Sequence, residues 1–489
     1  MKSFWIQTLG CKVNHYESEQ FAADLRRRGY RPAQDAASAD VRLLNTCSVT
    51  AEAASKSRSA ARRLGKLSSA SADLASCADK PTVIVAGCWA TSDPDDARAI
   101  GGVDAVIGHH QDAAAEMDRI FGPEISTASD FAGPTPRTGR NSSDHPLKTD
   151  RPGTHSLPLL DEHQSGRQRG VLKVQDGCDA HCTYCIIPTL RQSLWSKPID
   201  RAVAEAQRLV DSGHLELVLT GIFLGAYGQP TALRRNQPPI AQGHLAELID
   251  ALCTRVTGLL RLRLSSLEPG DLTADLLATL VRHRAVVPHF HLPLQSGSDS
   301  VLRRMNRQYR RDDFLEMVAR VRVAFDRPAL TSDVVVGFPG ETDADFHQTM
   351  DVVAAGGFIH VHAFPYSPRR GTAATRLRGR PHGNVVQQRL SELRHVAEAQ
   401  SIAYRQSFIG QELAVLVEEP AKNAVATDQI RHGRCDRYFD VFFEGEARPG
   451  DLARVRIDRI RGSRTLGTLI EIERPRTFPL ALYPGRGQG

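Results

Sequence analysis

The chain predicts an α/β protein in three parts: an amino-terminal parallel α/β domain, a partial (β/α)6 barrel and a small carboxyl-terminal all-β barrel. Three observations carry this. Short apolar runs alternate with helix-like stretches through the first 120 residues, the pattern of a parallel sheet covered by helices. From Arg169 a β-then-α repeat recurs six times, fewer than the eight units that close a full barrel. After residue 405 the pattern changes to short alternating strands joined by Gly, Pro and Asp, a module whose size suits a five-stranded barrel. A chain of 489 residues is too long for one core, so several domains are expected.

In the first domain, 1–120, SFWIQTL, VRLLN and TVIVAG read as strands. Between them lie ESEQFAADLRRRG, a helix ending at Gly29 as helices commonly do, and the Ala-rich, basic TAEAASKSRSAARRL. Residues 121–168 are rich in Pro, Gly, Ser, Thr and Asp without an apolar period, and predict a linker. In 169–405 the strands are VLKVQ, LELVLTG, RLRLSSL, HFHLPLQ, TSDVVVGF and FIHVHAFPY. The stretch GQPTALRRNQPPIAQGH interrupts the second crossover as a surface insertion with no recognisable chemistry. The terminal module, 406–474, carries ELAVLVEE, YFDVFFEG, LARVRIDRIR and TLGTLIEIE, and 475–489 reads as a tail.

Hydrophobic content of 41% with 24% charged residues is that of a soluble globular protein, and no apolar run approaches the ~20 residues that span a bilayer. The start, MKSFWIQTLGCK, lacks the pattern of a secretory signal, so a cytoplasmic, monomeric protein without membrane association is expected. The net charge of +6 favours a polyanionic partner. Basic residues concentrate in SKSRSAARRLGK, RRMNRQYRR and RVRIDRIRGSR; for each patch, phosphate binding and a solvated face stand about even.

The chemistry is carried first by CDAHCTYC, which sets Cys178, Cys182 and Cys185 in one tight loop directly after the first barrel strand. That is the catalytic end of such barrels. Gly177 permits the turn that lets three sulfurs converge. A cubane iron-sulfur cluster normally takes four thiolates, so three leave one iron for a small chelating molecule. A zinc knuckle, with His181 in the motif, is the alternative. CxxxCxxC with an aromatic before the last Cys, here Tyr184, resembles the signature of radical S-adenosylmethionine (AdoMet) enzymes.

The remaining strand ends offer a pocket: Thr220 and Gly221, then Ser265, Ser266 and Glu268, then Gln295 and Ser296, then Gly337 and Phe338. Glycine admits close backbone approach, hydroxyls and amides suit a carboxylate or ribose, and an acid suits an amino group; turn and cap roles are equally open for each. Cys11, Cys47 and Cys88 each close a predicted strand of the first domain. Parallel neighbours would align them for a second cluster, although buried cysteines also serve as small apolar residues. Cys77, Cys253 and Cys435 have no such setting and read as structural. In the terminal module Phe439, Val441 and Phe443 face inward by alternation, which leaves Arg434, Arg437, Tyr438, Arg454, Arg456 and Arg459 as RNA contacts.

Taken together, TLGCK, NTC, GCWA, QDGCDAHCTYCIIP, LSSLEP, PLQSGS, GFPGET and YSPRRGT resemble the methylthiotransferase family, and the terminal module resembles a TRAM domain. The resemblance implies two 4Fe-4S clusters, an auxiliary one on Cys11, Cys47 and Cys88 and a radical-AdoMet one on Cys178, Cys182 and Cys185. It further implies AdoMet as methyl and radical source, an external electron donor and sulfur source, and a tRNA substrate. LVLTGIFLGAYG looks most like the branch that modifies threonylcarbamoyladenosine beside the anticodon, with Phe223 where that branch carries His. PTLRQSLWS keeps Arg191 and Ser196 of the family's PxxRGxxRS but has Gln192 and Trp195 for Gly and Arg. Isopentenyladenosine or a ribosomal-protein aspartate are the neighbouring substrates; an iron-sulfur RNA-binding regulator without turnover is the reading from another class.

Overall fold

Four of the first strands are apolar runs of three to six residues, and the chain can bury such runs only by stacking them in one sheet with helices on its faces. In the computed structural model, which describes residues 2–72, 80–123, 154–161, 166–233, 243–419 and 430–473, they do so. The strands Ser3–Thr8 (β1), Arg31–Pro32 (β2), Val41–Thr46 (β3), Thr82–Gly87 (β4) and Ala105–Ile107 (β5) form a sheet of order β2-β1-β3-β4-β5. Every pairing is parallel. Phe4, Leu43 and Ile84 bury one face with Phe21 and Leu25 of the helix Lys12–Arg27, and Val83, Val85 and Trp89 bury the other with Ala61 and Leu64 of Ala51–Ala72. β1, β3 and β4 are neighbours, so the residues that follow their carboxyl ends lie along one edge.

The chain divides into two compact units, the first reaching Leu159 and the second starting at Leu160. The stretch that composition marks as a linker contributes to both: Leu157 joins the first unit's core, while the Leu160 N–H donates to Glu205 Oε1 at 3.0 Å. The apolar run Leu157–Leu160 is the reason. Residues 124–153, Cys77 and the expected tail at 475–489 lie outside the described residues.

The second unit opens with the expected six parallel strands: Arg169–Asp176 (β6), Glu216–Gly221 (β8), Arg261–Leu264 (β9), His289–His291 (β10), Ala329–Val336 (β11) and His360–Pro365 (β12). A two-residue strand, Trp195–Ser196 (β7), pairs antiparallel with the end of β6. Between β9 and β10 there are only isolated parallel bridges involving flanking residues, Leu262 with Val286 and Ser266 with His291. Among the described residues no pairing links β12 to β6, and the barrel is partial, as six units require.

Alternation then builds a closed barrel from Glu412–Val417 (β13), Ile430–Cys435 (β14), Asp440–Glu444 (β15), Leu452–Arg461 (β16) and Arg464–Glu473 (β17). Val415, Val417, Phe439, Val441, Phe443, Val455 and Ile457 fill its core. Cys435 belongs to that core and Cys253 is half-buried; burial pushes both thiols up to about 12. β14 is missing from the strands read in the sequence because IRHGRC does not alternate. Its Gly433 is required by contact, since a Cβ there would sit 2.2 Å from Leu416 O.

A buried ion cluster fastens this barrel to the parallel strands. Glu216 is fully buried, with Arg263 Nε 2.7 Å from one carboxylate oxygen and Arg261 Nε 3.0 Å from the other. Arg263 also donates to the Cys435 and Asp436 carbonyls, at 3.3 and 3.2 Å. No helix among the described residues is long and apolar enough to cross a membrane. Burial opposes the Glu216 charge, but the two guanidinium groups outweigh it and hold the carboxyl at about 2. The folded value lies below the ordinary one, so this stability is complete above about pH 4.5 and is lost as pH falls toward 2, a span of about 3 kcal/mol. Glu216→Gln is expected to unfold more easily at pH 7, by about 3 to 5 kcal/mol for a broken buried pair, with the deficit shrinking below pH 4.5. Chemical denaturation across pH checks this; a deficit independent of pH would contradict it.

Candidate active site

In the first unit the three cysteines stand where their strands end. Cys11 caps the helix Lys12–Arg27, Cys47 follows β3, and Cys88 opens the helix Cys88–Ser92 directly after β4. Two of the three therefore sit at helix amino termini. Side chains lock the loops together. Asn14 Nδ2 donates to Leu9 O and Thr46 O, at 2.9 and 2.8 Å. Thr46 Oγ1 donates to Ala86 O and accepts from Trp89 N. Gly10 packs on Cys47: a Cβ there would lie 3.1 Å from the Cys47 sulfur.

In the second unit the cluster loop leaves β6 through Gly177, at φ +80°, where a Cβ would stand 2.0 Å from Ser193 O. Only glycine meets both conditions. The Asp176 carboxylate takes the Gly177 N–H at 2.8 Å, Arg191 Nη1 at 2.8 Å and the Lys173 ammonium. The Cys178 N–H donates to Arg191 O, so Arg191 closes the loop's base. Gln175 donates to Asp176 O and Gly177 O and accepts from the Phe223 N–H. Phe223 is buried beside Cys178 and Cys182.

Two segments that composition places on the surface join this loop. The insertion begins as a clamp: Thr231 Oγ1 and the Ala232 N–H both donate to Asp179, each at 2.6 Å, and Ala232 is buried. Residues 234–242 of that insertion lie outside the described residues. The basic run RRMNRQYRR is no phosphate patch along its middle, for Met305, Arg307 and Tyr309 are buried. Arg307 Nη1 donates to Cys182 Sγ at 3.1 Å, and Nη2 pairs with Glu268. Only the contact between a charge and a thiol distinguishes this arginine, and nothing in the local sequence announces it.

The expected pocket residues divide. Thr220 lies in the last residues of β8, Ser265 and Ser266 directly follow β9, and Glu268 and Gln295 stand in the loops after β9 and β10, Glu268 joined to Cys182 through Arg307; Ser265 Oγ is buried with no hydrogen-bond partner among the described residues, and Gln295 holds φ +61°. Gly221 makes room for protein, since a Cβ would come 2.8 Å from that of Gln175. Ser296 is committed to Thr349, and Phe338 is fully buried against Tyr184 and Tyr366. Gly337, at φ +78°, donates its N–H to Glu341 and is covered by Val386. These three are committed to protein contacts.

On the carboxyl-terminal barrel, Arg454 and Arg456 alternate outward, Arg459 follows a register shift after Ile457, and all three are exposed. Arg437 and Tyr438 instead turn inward. The Tyr438 ring stacks on His289 at 4.0 Å under the guanidiniums of Arg263 and Arg434, and Arg437 is bound by the Asp326 and Arg327 carbonyls. Arg434 is held by Asp440 at 2.9 Å. A residue absent from the expected contacts, Phe442, is sent outward by strand alternation; it stacks on His432 at 5.6 Å beneath Arg464.

The loop fits an iron-sulfur cluster by its donor chemistry. Burial pushes the Cys178 and Cys185 thiols up to about 12, each raised further by its neighbouring cysteines. Such thiols become thiolates only beside strong positive charge. Among the described residues no three His, Cys, Asp or Glu side chains converge as ligands of a single metal ion do, those of this loop included.

Residues 172–353 match the radical SAM superfamily, and residues 3–108 match uncharacterized protein family UPF0004. The chain is 33% identical over 458 residues to the threonylcarbamoyladenosine tRNA methylthiotransferase MtaB of Bacillus subtilis (strain 168), covering 94% of each. This chain belongs to the methylthiotransferase family. It is 34% identical over 466 residues to tRNA-2-methylthio-N(6)-dimethylallyladenosine synthase 1 of Mycobacterium marinum, covering 93% of this chain and 84% of that one. Among solved structures it resembles the radical S-adenosylmethionine methyltransferase TsrM from Kitasatospora setae, with TM-score 0.50 and 14% identity over 76% of this chain and 77% of that one; this likeness shows the fold alone. The chain is thus a radical-AdoMet methylthiotransferase, and its family implies AdoMet and a 4Fe-4S cluster.

Gly177→Ala is expected to cost about 1 to 3 kcal/mol and to lower iron uptake by a methylthiotransferase reconstituted with iron and sulfide. Thermal unfolding and iron analysis read both; parent values for the two would contradict the steric requirement.

Proposed function

We propose that this methylthiotransferase acts on tRNA and inserts a methylthio group at carbon 2 of threonylcarbamoyladenosine beside the anticodon. The observation that carries the reading is the placement of two cysteine trios, Cys11, Cys47 and Cys88 in one unit and Cys178, Cys182 and Cys185 in the other, each at the carboxyl ends of parallel strands. One trio suits radical generation and the other an auxiliary cluster that takes part in sulfur insertion. LVLTGIFLGAYG and the relatives named MtaB from Bacillus subtilis, Chlamydia pneumoniae and Thermotoga maritima, 33 to 34% identical, support threonylcarbamoyladenosine. The Mycobacterium marinum relative, at 34%, favours dimethylallyladenosine as the second reading.

When bound, the cluster and AdoMet supply one-electron cleavage and a hydrogen-abstracting radical, chemistry suited to an adenine C–H that acid-base groups do not remove. The chain's own part is positional. Gly177, Asp176 and Arg191 shape the cysteine loop, Asp179 is held by Thr231 and Ala232, and Ser265 presents a buried hydroxyl with no partner among the described residues. Electrons and the inserted sulfur come from external sources. The terminal barrel, a TRAM-like module, grips the tRNA backbone through Arg454, Arg456 and Arg459, and the Phe442 and His432 rings give a base a stacking surface.

Nucleoside mass spectrometry of tRNA from a deletion strain is expected to lose methylthio-threonylcarbamoyladenosine, with return on complementation by the parent chain and not by Cys182→Ala. Loss of the methylthio-dimethylallyl nucleoside instead would select the second reading, and no change in either would reject both.

Replacing Arg454, Arg456 and Arg459 together by Ala is expected to weaken tRNA binding in proportion to salt, flattening the log–log salt slope by about 0.7 to 0.9 for each phosphate left without its arginine. Filter binding over a salt series measures it. An unchanged slope would move the RNA-binding face off β16.

A further inference from the structure

Arg307 stands in the run RRMNRQYRR, whose composition suggests a surface patch, yet it is 5% exposed. Its surroundings fix it on four sides. Nη1 donates to Cys182 Sγ at 3.1 Å and reaches the Tyr184 hydroxyl at 3.5 Å. Nη2 is paired with Glu268. The guanidinium lies over the Tyr309 ring at 4.9 Å, and Tyr309 is itself anchored, its hydroxyl donating to Pro293 O at 2.6 Å.

The backbone around it is tied to the cysteine loop independently of the guanidinium. The Thr183 N–H donates to Met305 O at 3.0 Å, Thr183 Oγ1 to Arg304 O at 2.8 Å, and Asn306 Nδ2 to His181 O at 3.0 Å. These bonds hold the loop whether or not residue 307 carries a charge. The contact of Nη1 with sulfur therefore does something the backbone bonds do not: it places a buried, permanent positive charge and a donor on one ligand of the cluster.

We propose that Arg307 is a positioning residue that sets the reduction potential of the cluster held by this loop, with Glu268 directing its guanidinium. Taking up an electron makes a cluster more negative, and a donor on a ligand sulfur stabilises that state more than the oxidised one. In a buried site the effect is enlarged, because little solvent screens it. Arg307 thus eases the electron transfer that must precede AdoMet cleavage by a weak external reductant. The inference rests on the reading that Cys178, Cys182 and Cys185 hold the radical-AdoMet cluster.

The test uses the full chain with Cys11, Cys47 and Cys88 changed to Ala, so that one ligand set remains, reconstituted anaerobically with iron and sulfide. Iron content, the visible absorption spectrum and an EPR-monitored redox titration are compared for this parent, Arg307→Lys and Arg307→Met. Iron content at the parent level is expected in both. At a fixed potential the reduced-to-oxidised ratio in Arg307→Met is expected to fall about tenfold, a midpoint lower by about 59 mV for one electron; Arg307→Lys falls between. A parent midpoint in an iron-loaded Arg307→Met overturns the proposal. If Arg307→Met does not load, Arg307→Lys decides: a lowered midpoint supports the proposal, and a parent midpoint or failure to load shows a purely structural role. Failure of the parent to load, or loading undiminished by Cys182→Ala, would instead sink the cluster assignment beneath it.

Discussion

The buried carboxylate of Asp176 is the fixed point of the second unit. It ends β6, and its two oxygens take the Lys173 ammonium, Arg191 and the Gly177 N–H. A carboxylate so enclosed is tolerated only when its acceptor sites are filled and its charge is met. That condition forces the chain to reverse tightly at Gly177 and to bring Arg191 back beneath the loop, where its carbonyl receives the Cys178 N–H. The entrance and exit of the cysteine loop are thereby tied to one point of the parallel sheet. Gln175 and Phe223 extend the same constraint to the end of β8.

Both units solve a similar problem in the same way. Parallel strands leave their carboxyl ends along one edge, and short loops there can present side chains to a common point. In the first unit three neighbouring strands contribute one cysteine each; in the second a single strand contributes three. The first arrangement depends on register between strands, which Asn14 and Thr46 secure across β1, β3 and β4. The second depends on a single loop and its braces.

The strand count, the parallel order and the closed terminal barrel are legible in the sequence because apolar period and alternation report burial directly. The strand-end placement of the six cysteines is legible because spacing and position along the strands are properties of the chain itself. What escapes are residues whose environment contradicts their composition. Arg307 looks like its solvated neighbours in RRMNRQYRR, and Thr231 and Ala232 look like the start of a polar insertion; each is buried by contacts far away in sequence. Phe338 and Ser296 follow strands and so suggest pocket residues, but a strand end fixes a position and not a face. The positive φ at Gly337 and Gln295 breaks the alternation just there, and the next side chain turns into the core. Tyr438 eludes the pattern for the same reason, lying at φ +68° in the turn between β14 and β15.

That turn carries Tyr438 onto His289, beneath Arg263, whose charge is met by Glu216 on β8. Within the second unit the terminal barrel is therefore riveted to the strands whose other ends surround the cysteine loop. Anything gripped along β16 is thus held by a barrel that those buried contacts tie to the parallel strands. Selection among ligands then becomes a matter of length as well as of chemical groups, with the barrel acting as the far jaw of a caliper.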